Sequence, residues 1–168
     1  MNMIVALCRN RGIGFRNQIP WAFKTDLQYF RDMTIGDGNN AVIMGRKTWR
    51  SLPDTFTPLP KRTNIILSSR TEMQTKKQEN MHVFSNIEDV KQFCRDTKFD
   101  KTWIIGGQSI YRQFIHDPDI QHLYITNIDK SYLCDTYFPQ YEGEFKLHAA
   151  AATPENRTVL QFQKWERI

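Results

Sequence analysis

In this chain of 168 residues, the group best suited to acid–base chemistry is Asp26. It sits in the run Ile19-Pro20-Trp21-Ala22-Phe23-Lys24-Thr25-Asp26-Leu27-Gln28-Tyr29-Phe30-Arg31-Asp32-Met33, where helical spacing puts it on one face with Phe23, Phe30 and Met33, and beside Leu27. An aspartate in a first helical turn ordinarily caps the helix or answers its dipole. A cap faces solvent or backbone, whereas this stripe faces a core. A carboxylate placed there needs a partner, either a hydroxyl such as Thr126 or the paired N–H groups of an amidine-like ligand edge. Desolvation would raise its pKa, the kind of perturbation that marks functional acids.

Three further segments carry anion-binding chemistry. In Val42-Ile43-Met44-Gly45-Arg46-Lys47-Thr48 an apolar run meets a glycine, two cations and a hydroxyl. Ile65-Ile66-Leu67-Ser68-Ser69-Arg70 ends in two hydroxyls and a guanidinium that could fork onto a phosphate. Trp103-Ile104-Ile105-Gly106-Gly107-Gln108-Ser109-Ile110-Tyr111 turns through two glycines, which let a backbone approach a ligand where any Cβ would collide. Each alone is an ordinary turn. Together they suggest a dinucleotide, with Gly106 and Gly107 near the pyrophosphate and Arg46, Ser68, Ser69 and Arg70 around an adenosine 2′-phosphate, which favours NADP over NAD. The Gly-x-Gly-x-x-Gly fingerprint is absent, and Gly12-Ile13-Gly14 falls in an expected loop. His82, His116, His122 and His148 form no ligand cluster, so no metal is expected, and neither a nucleophile elbow nor a P-loop is present.

The elements that must position these groups follow from periodicity. Apolar, β-prone runs at residues 3–8, 41–44, 64–67, 81–84, 102–105 and 123–128 alternate with helical stretches at 25–34, around Thr48, at 87–97 and at 109–115. Several of the strands are continuously apolar, as strands buried on both faces are. After them, Phe145 and Leu147, then Leu160 and Phe162, alternate around a polar loop at 153–157, predicting an antiparallel hairpin. The expectation is an α/β fold: one domain over residues 1–168, with a mostly parallel central sheet of about eight strands, flanking helices and a C-terminal antiparallel hairpin. Hydrophobic residues at 40% and charged residues at 24% fit a soluble globular chain. The longest apolar run is too short to span a membrane and is followed by Arg9 and Arg11, so a cytoplasmic protein is expected. Cys8, Cys94 and Cys134 read as small core hydrophobes. The net charge of +5 sits entirely in residues 1–50, where eight Lys or Arg face three Asp. That surplus fits a small anionic ligand at least as well as nucleic acid, or serves solubility alone.

In order and spacing, these motifs resemble the dihydrofolate reductase family over essentially the whole chain. The resemblance rests on Gly12-Ile13-Gly14 with Asn17 and Ile19-Pro20-Trp21, Asp26-Leu27 with Phe30, and Val42 through Trp49. It continues through Pro58-Leu59-Pro60-Lys61-Arg62 with Asn64, Leu67-Ser68-Ser69-Arg70, Ile105-Gly106-Gly107 with Tyr111, and Asp135-Thr136 with Phe138-Pro139.

The resemblance implies hydride transfer from NADPH to 7,8-dihydrofolate, giving tetrahydrofolate for one-carbon metabolism. Asp26 would bind the 2-amino group and N3 of the pterin and favour protonation of N5, with Thr126 supporting it and Trp21 holding an ordered water. Ile4, Val5, Leu27, Phe30, Leu52, Leu59, Ile105 and Tyr111 would wall the substrate, and Arg62 would pair with its α-carboxylate. Ala6, Ile13, Gly14, Asn17, Gly45, Arg46, Lys47, Thr48, Leu67, Ser68, Ser69, Arg70, Gly106, Gly107, Gln108, Ser109, Ile110, Tyr111 and Thr136 would line NADPH. The loop at 10–21 resembles the family's mobile lid, and the Gly106–Gly107 bond is typically cis in the family. Expected partners are dihydrofolate and antifolates, with neither membrane nor nucleic acid, in a monomer unless the chain derives from a fusion with thymidylate synthase. Rival readings are the pyrimidine reductase of riboflavin biosynthesis and a non-catalytic module that binds NADP or nucleic acid.

Overall fold

The computed structural model describes residues 1–74 and 78–168. Its strands are β1 (Asn2–Leu7), β2 (Gly12–Gly14), β3 (Ala41–Gly45), β4 (Thr63–Leu67), β5 (Met81–Phe84), β6 (Thr102–Gly106), β7 (His122–Ile128), β8 (Thr136–Tyr137), β9 (Phe145–Glu155) and β10 (Thr158–Arg167). The helices are α1 (Lys24–Ile35), α2 (Arg46–Ser51), α3 (Thr71–Gln74), α4 (Ile87–Thr97) and α5 (Gln108–Phe114). Eight strands form one sheet in the order β5-β4-β3-β6-β1-β7-β10-β9. The first six pair in parallel, and β10 runs antiparallel to both β7 and β9.

Alternation along the strands divides the core in two. Met3, Val5, Ile43, Ile65, Ile104 and Ile125 point to the face covered by α4 and α5, where Val90, Ile110, Tyr111 and Phe114 meet them. Ile4, Val42, Met44, Ile66, Trp103 and Tyr124 point the other way, against Tyr29, Phe30 and Met33 of α1 and Trp49 of α2. Helix α4 starts where its sequence requires, with the Asn86 side chain accepting from the Asp89 N–H at 2.9 Å. Among the described residues, no helix is long and apolar enough to cross a membrane.

Three expectations need correction. Gly12-Ile13-Gly14 is a strand rather than a loop, because its backbone pairs with Tyr137 and Thr136 of β8. The polar loop expected at 153–157 shrinks to Asn156 and Arg157, since pairing continues to Glu155 opposite Thr158. Both turn residues take positive φ, 50° and 63°, the left-handed geometry of a two-residue hairpin turn. Leu147 is exposed while Phe145 is buried, so those two do not share the buried face that their spacing suggested. Of the cysteines, only Cys8 is fully buried, and its Sγ lies 3.7 Å from that of Cys134.

Candidate active site

Sheet order explains why motifs far apart in sequence converge. Strands β4, β3 and β6 are neighbours, with Gly45 beside Leu67 and Met44 beside Gly106, so all three anion motifs leave the same edge of the sheet side by side. Arg46, Lys47 and Thr48 open α2, Ser68, Ser69 and Arg70 lead into α3, and Gln108 and Ser109 open α5. The Gly106–Gly107 bond is cis, and Gly106 adopts φ +120°. A Cβ on Gly106 would lie 3.2 Å from the Tyr111 ring, and one on Gly107 would meet only the Thr48 hydroxyl, at 3.4 Å. The Arg46 guanidinium is pushed down by desolvation and by the charges of Arg70 and Arg50, as a cationic cluster suited to an anion would be. Arg70 pairs with Glu72 at 3.6 Å, and the Ser68 hydroxyl accepts from the Arg70 N–H at 3.2 Å.

Not every residue expected to line the cofactor presents its side chain to this edge. Ile110 lies in the α5-side core, close enough to Gly45 that a Cβ there would sit 3.0 Å away. Tyr111 is buried on the same side, and its hydroxyl donates to the Ile4 carbonyl at 2.7 Å. It thereby braces β1. The Gln108 side chain is engaged internally, its Oε1 accepting from the Tyr137 N–H at 2.6 Å. In the segment 10–21, Gly14 pairs with Thr136 of β8 and its carbonyl accepts from the Asp135 N–H at 2.9 Å. Asn17 occupies a tight turn at φ +62°, between the paired Phe15 and Gln18, and Ile13 packs at the edge of the core.

Asp26 lies in the first turns of α1, on the sheet face opposite α4 and α5. Burial pushes its carboxyl above the ordinary carboxylate value, the Thr126 hydroxyl opposes that by hydrogen bonding, and the charge of Glu155 adds to it. Thr126 is fixed in the middle of the sheet, opposite Ala6 of β1 on one side and Phe162 of β10 on the other. Trp21, in the approach to α1, packs on Tyr132 with ring centroids 5.1 Å apart, in a cluster with Ala6, Phe23 and Phe162. Asp26 is therefore not the cap of α1.

Ile4, Phe30, Leu52, Leu59 and Ile105 belong to a single apolar cluster on this face. Leu27 stands beside Asp26 with 60% of its surface exposed. Val5 does not join them, because strand alternation turns its side chain to the opposite face.

At the far end of α1, Arg62 is only 5% exposed, yet it forms none of the ion pairs among the described residues. Its Nε donates to the Pro60 carbonyl at 2.9 Å and its NH1 to the Thr34 hydroxyl at 3.0 Å. Burial, reinforced by the charge of Arg31, pushes it down to about 10. Asn64, fully buried, holds this loop in shape. Its Oδ1 accepts from the Leu59 N–H at 2.9 Å, and its Nδ2 donates to the carbonyls of Leu59 and Arg62, both at 3.0 Å. The supporting roles of Asn64, Thr34 and Glu155 went unread in the sequence, since only the last turn of a motif or a distant strand reveals what they hold.

A carboxylate and a guanidinium thus flank one apolar strip along α1. The eight residues from Asp26 to Thr34 rise about 12 Å. Such a strip suits an elongated ligand with a hydrogen-bonding heterocycle at one end and an anion at the other.

Comparison with known proteins identifies a family. Residues 1–167 match the family model described as dihydrofolate reductase. The dihydrofolate reductase of Heliothis virescens is 37% identical over 150 residues, covering 86% of this chain and 81% of that protein. That of Drosophila melanogaster is 36% identical over 150 residues, 86% of this chain and 82% of that protein. The chain is also 35% identical over 145 residues to the bifunctional dihydrofolate reductase-thymidylate synthase 2 of Arabidopsis thaliana, covering 82% of this chain and 26% of that protein.

Proposed function

Because the chain belongs to the dihydrofolate reductase family, and so reduces dihydrofolate to tetrahydrofolate with NADPH as hydride donor, we propose that Asp26 is the acid on which its catalysis turns. The observation that carries this reading is the pairing of a half-buried carboxyl, supported by Thr126, with a buried guanidinium about two helical turns away that has no carboxylate partner among the described residues. The two oxygens of Asp26 accept from the 2-amino group and N3 of the pterin, an edge that presents two N–H donors in parallel. Phe30, Leu52, Leu59, Ile4 and Ile105 wall the ring and benzoyl group, Leu27 covers them, and Arg62 takes the α-carboxylate.

NADPH supplies the hydride, which passes to C6 of the pterin. The residues at the sheet edge fit that cofactor: Gly107 leaves room for a pyrophosphate, and Arg46 and Arg70, with Ser68 and Ser69, suit the 2′-phosphate. The protein's own work is to set the two rings face to face and to favour the N5-protonated pterin. Asp26 does so with a raised proton affinity, which brings a carboxyl closer to the range where it can give and regain a proton. The proton reaches N5 through water, which Trp21 helps to hold. This reading displaces the pyrimidine reductase and the nucleic-acid module as rivals, since Asp26 and Arg62 together match a folate. It extends to antifolate binding and to a cytoplasmic protein with one domain over residues 1–168, monomeric unless the chain derives from a fusion with thymidylate synthase.

The test is loss of reduced-nicotinamide absorbance on mixing protein, NADPH and dihydrofolate. Rapid substrate-dependent loss that methotrexate abolishes, much slower with NADH, is the expected result. NADPH binding without dihydrofolate-dependent turnover would contradict it.

A further inference from the structure

Helix α1 begins without a cap of its own. Phe23 holds the capping position, buried at 5% exposure in the core, and offers no side-chain acceptor to the first turn. The first N–H groups of a helix have no partner within it. Here one carboxylate from a distant part of the chain takes two of them. Glu155 Oε2 accepts from the Lys24 N–H at 2.7 Å and Oε1 from the Thr25 N–H at 3.0 Å, while the Thr25 hydroxyl donates to Oε1 as well. These bonds hold Glu155 below the usual carboxylate range, so it stays ionised.

The route by which Glu155 arrives matters. It is the last residue of β9, paired with Thr158 across the two-residue turn. Strand β10 continues from Thr158 along β7, where Phe162 lies opposite Thr126. One hairpin therefore holds both the hydroxyl that supports Asp26 and the helical turn that carries it. Glu155 also borders a cleft of about 520 Å³ with Ala22, Leu27 and Asn156.

We propose that Glu155 is a positioning residue of the catalytic site, fixing through the first turn of α1 where Asp26 and Leu27 meet the pterin. This rests on the reading of Asp26 as the acid. The groups that bear on Asp26 are Thr126 from β7 and Glu155 from β9, with the Lys24 charge beside Glu155, while Tyr29 within α1 is itself raised by burial and by the charges of Tyr124 and Asp26. Glu155 is the negatively charged one among them, and its charge favours the protonated form of Asp26.

The experiment compares Glu155→Ala, Glu155→Gln and Asp26→Asn with the parent protein, reading KM for dihydrofolate and for NADPH, the pH profile of the rate, and thermal unfolding. Glu155→Ala is expected to raise KM for dihydrofolate about tenfold, the scale of a lost helix cap, and to leave NADPH unaffected. The limb on which its rate falls with rising pH moves to lower pH, because a negative charge beside Asp26 has gone. Glu155→Gln keeps an acceptor for Thr25 and so recovers part of the KM effect, yet its pH profile moves like that of the Ala variant. A lower Tm with KM, kcat and pH profile unchanged would make Glu155 merely structural and overturn the proposal. If the Ala variant does not fold, an unchanged pH profile in folded Glu155→Gln overturns it equally. Should Asp26→Asn itself keep the parent rate and profile, the reading of Asp26 fails first and takes this inference with it.

Discussion

Arg62, in the loop before β4, donates to the hydroxyl of Thr34 in the last turn of α1 at 3.0 Å, and the bond ties a buried positive charge to the helix that carries Asp26. Among the described residues the guanidinium meets only neutral oxygens, those of Pro60 and Thr34. A buried charge without a counter-charge is costly, and that cost is offset when a substrate carboxylate arrives.

Replacing Arg62 with Lys keeps the charge but removes the planar fork. KM for dihydrofolate should rise about 10- to 100-fold, the scale of a lost charge-assisted hydrogen bond, while NADPH binding stays the same. Steady-state kinetics with a dihydropterin lacking the glutamate tail supply the control. That substrate should not distinguish Arg62→Lys from the parent, and an equal loss on both substrates would remove the carboxylate from the account.

Arg46→Ala and Arg70→Ala should weaken NADPH binding about 10-fold or more, on the scale of a charge-assisted hydrogen bond, with NADH little affected. Fluorescence titration with both nucleotides checks this. Equal losses for NADPH and NADH would move these arginines away from the 2′-phosphate.

Asn64→Ala strips three bonds from a fully buried site and leaves the Leu59 N–H and two carbonyls without partners. Urea unfolding should show a loss of about 2–4 kcal/mol, given the cost of buried unsatisfied groups. Because the same bonds shape the loop bearing Leu59 and Arg62, KM for dihydrofolate should rise too. A stable variant with unaltered KM would show that the loop keeps its form without Asn64.

The raised pKa of Asp26 also sets a stability effect. Above the ordinary carboxylate range, the unfolded chain has given up this proton more readily than the folded one. The ionised, desolvated group therefore destabilises the fold increasingly as pH rises towards its folded value. Asp26→Asn should unfold at a higher temperature at neutral pH, by about 2–4 °C for each kcal/mol relieved. The advantage should vanish on acidification below the ordinary carboxylate range. A Tm for Asp26→Asn at or below the parent's at pH 7 would show that the carboxyl is not desolvated at a net cost.

What the sequence made legible and what it hid divide along a physical line. The strand over Met81–Phe84 and the helix over Ile87–Thr97 were readable to the residue, because β-prone runs and helical periodicity are local signals. The apolar face around Asp26 was readable for the same reason. That strand alternation turns the Val5 side chain to the α5 side, and that the Tyr111 hydroxyl reaches Ile4 across 107 positions, was not legible. Glu155 reaches Lys24 across 131 positions, and Cys8 meets Cys134 across 126. Such pairings depend on sheet order, which puts β1 between β6 and β7 and carries no local periodicity. The short strand at Gly12–Gly14 escaped notice because its partner, Thr136–Tyr137, supplies only two residues.

The most direct test of the central claim is the pH dependence of the hydride-transfer rate, followed by stopped flow with NADPH and dihydrofolate in the parent protein and in Asp26→Asn. The account predicts that the parent rate falls as pH rises. It also predicts that Asp26→Asn is slower by roughly a hundredfold or more at neutral pH, as lost acid–base assistance implies. The gap should narrow at acidic pH, where substrate arrives already protonated. An Asp26→Asn variant with the parent's rate at every pH would contradict it.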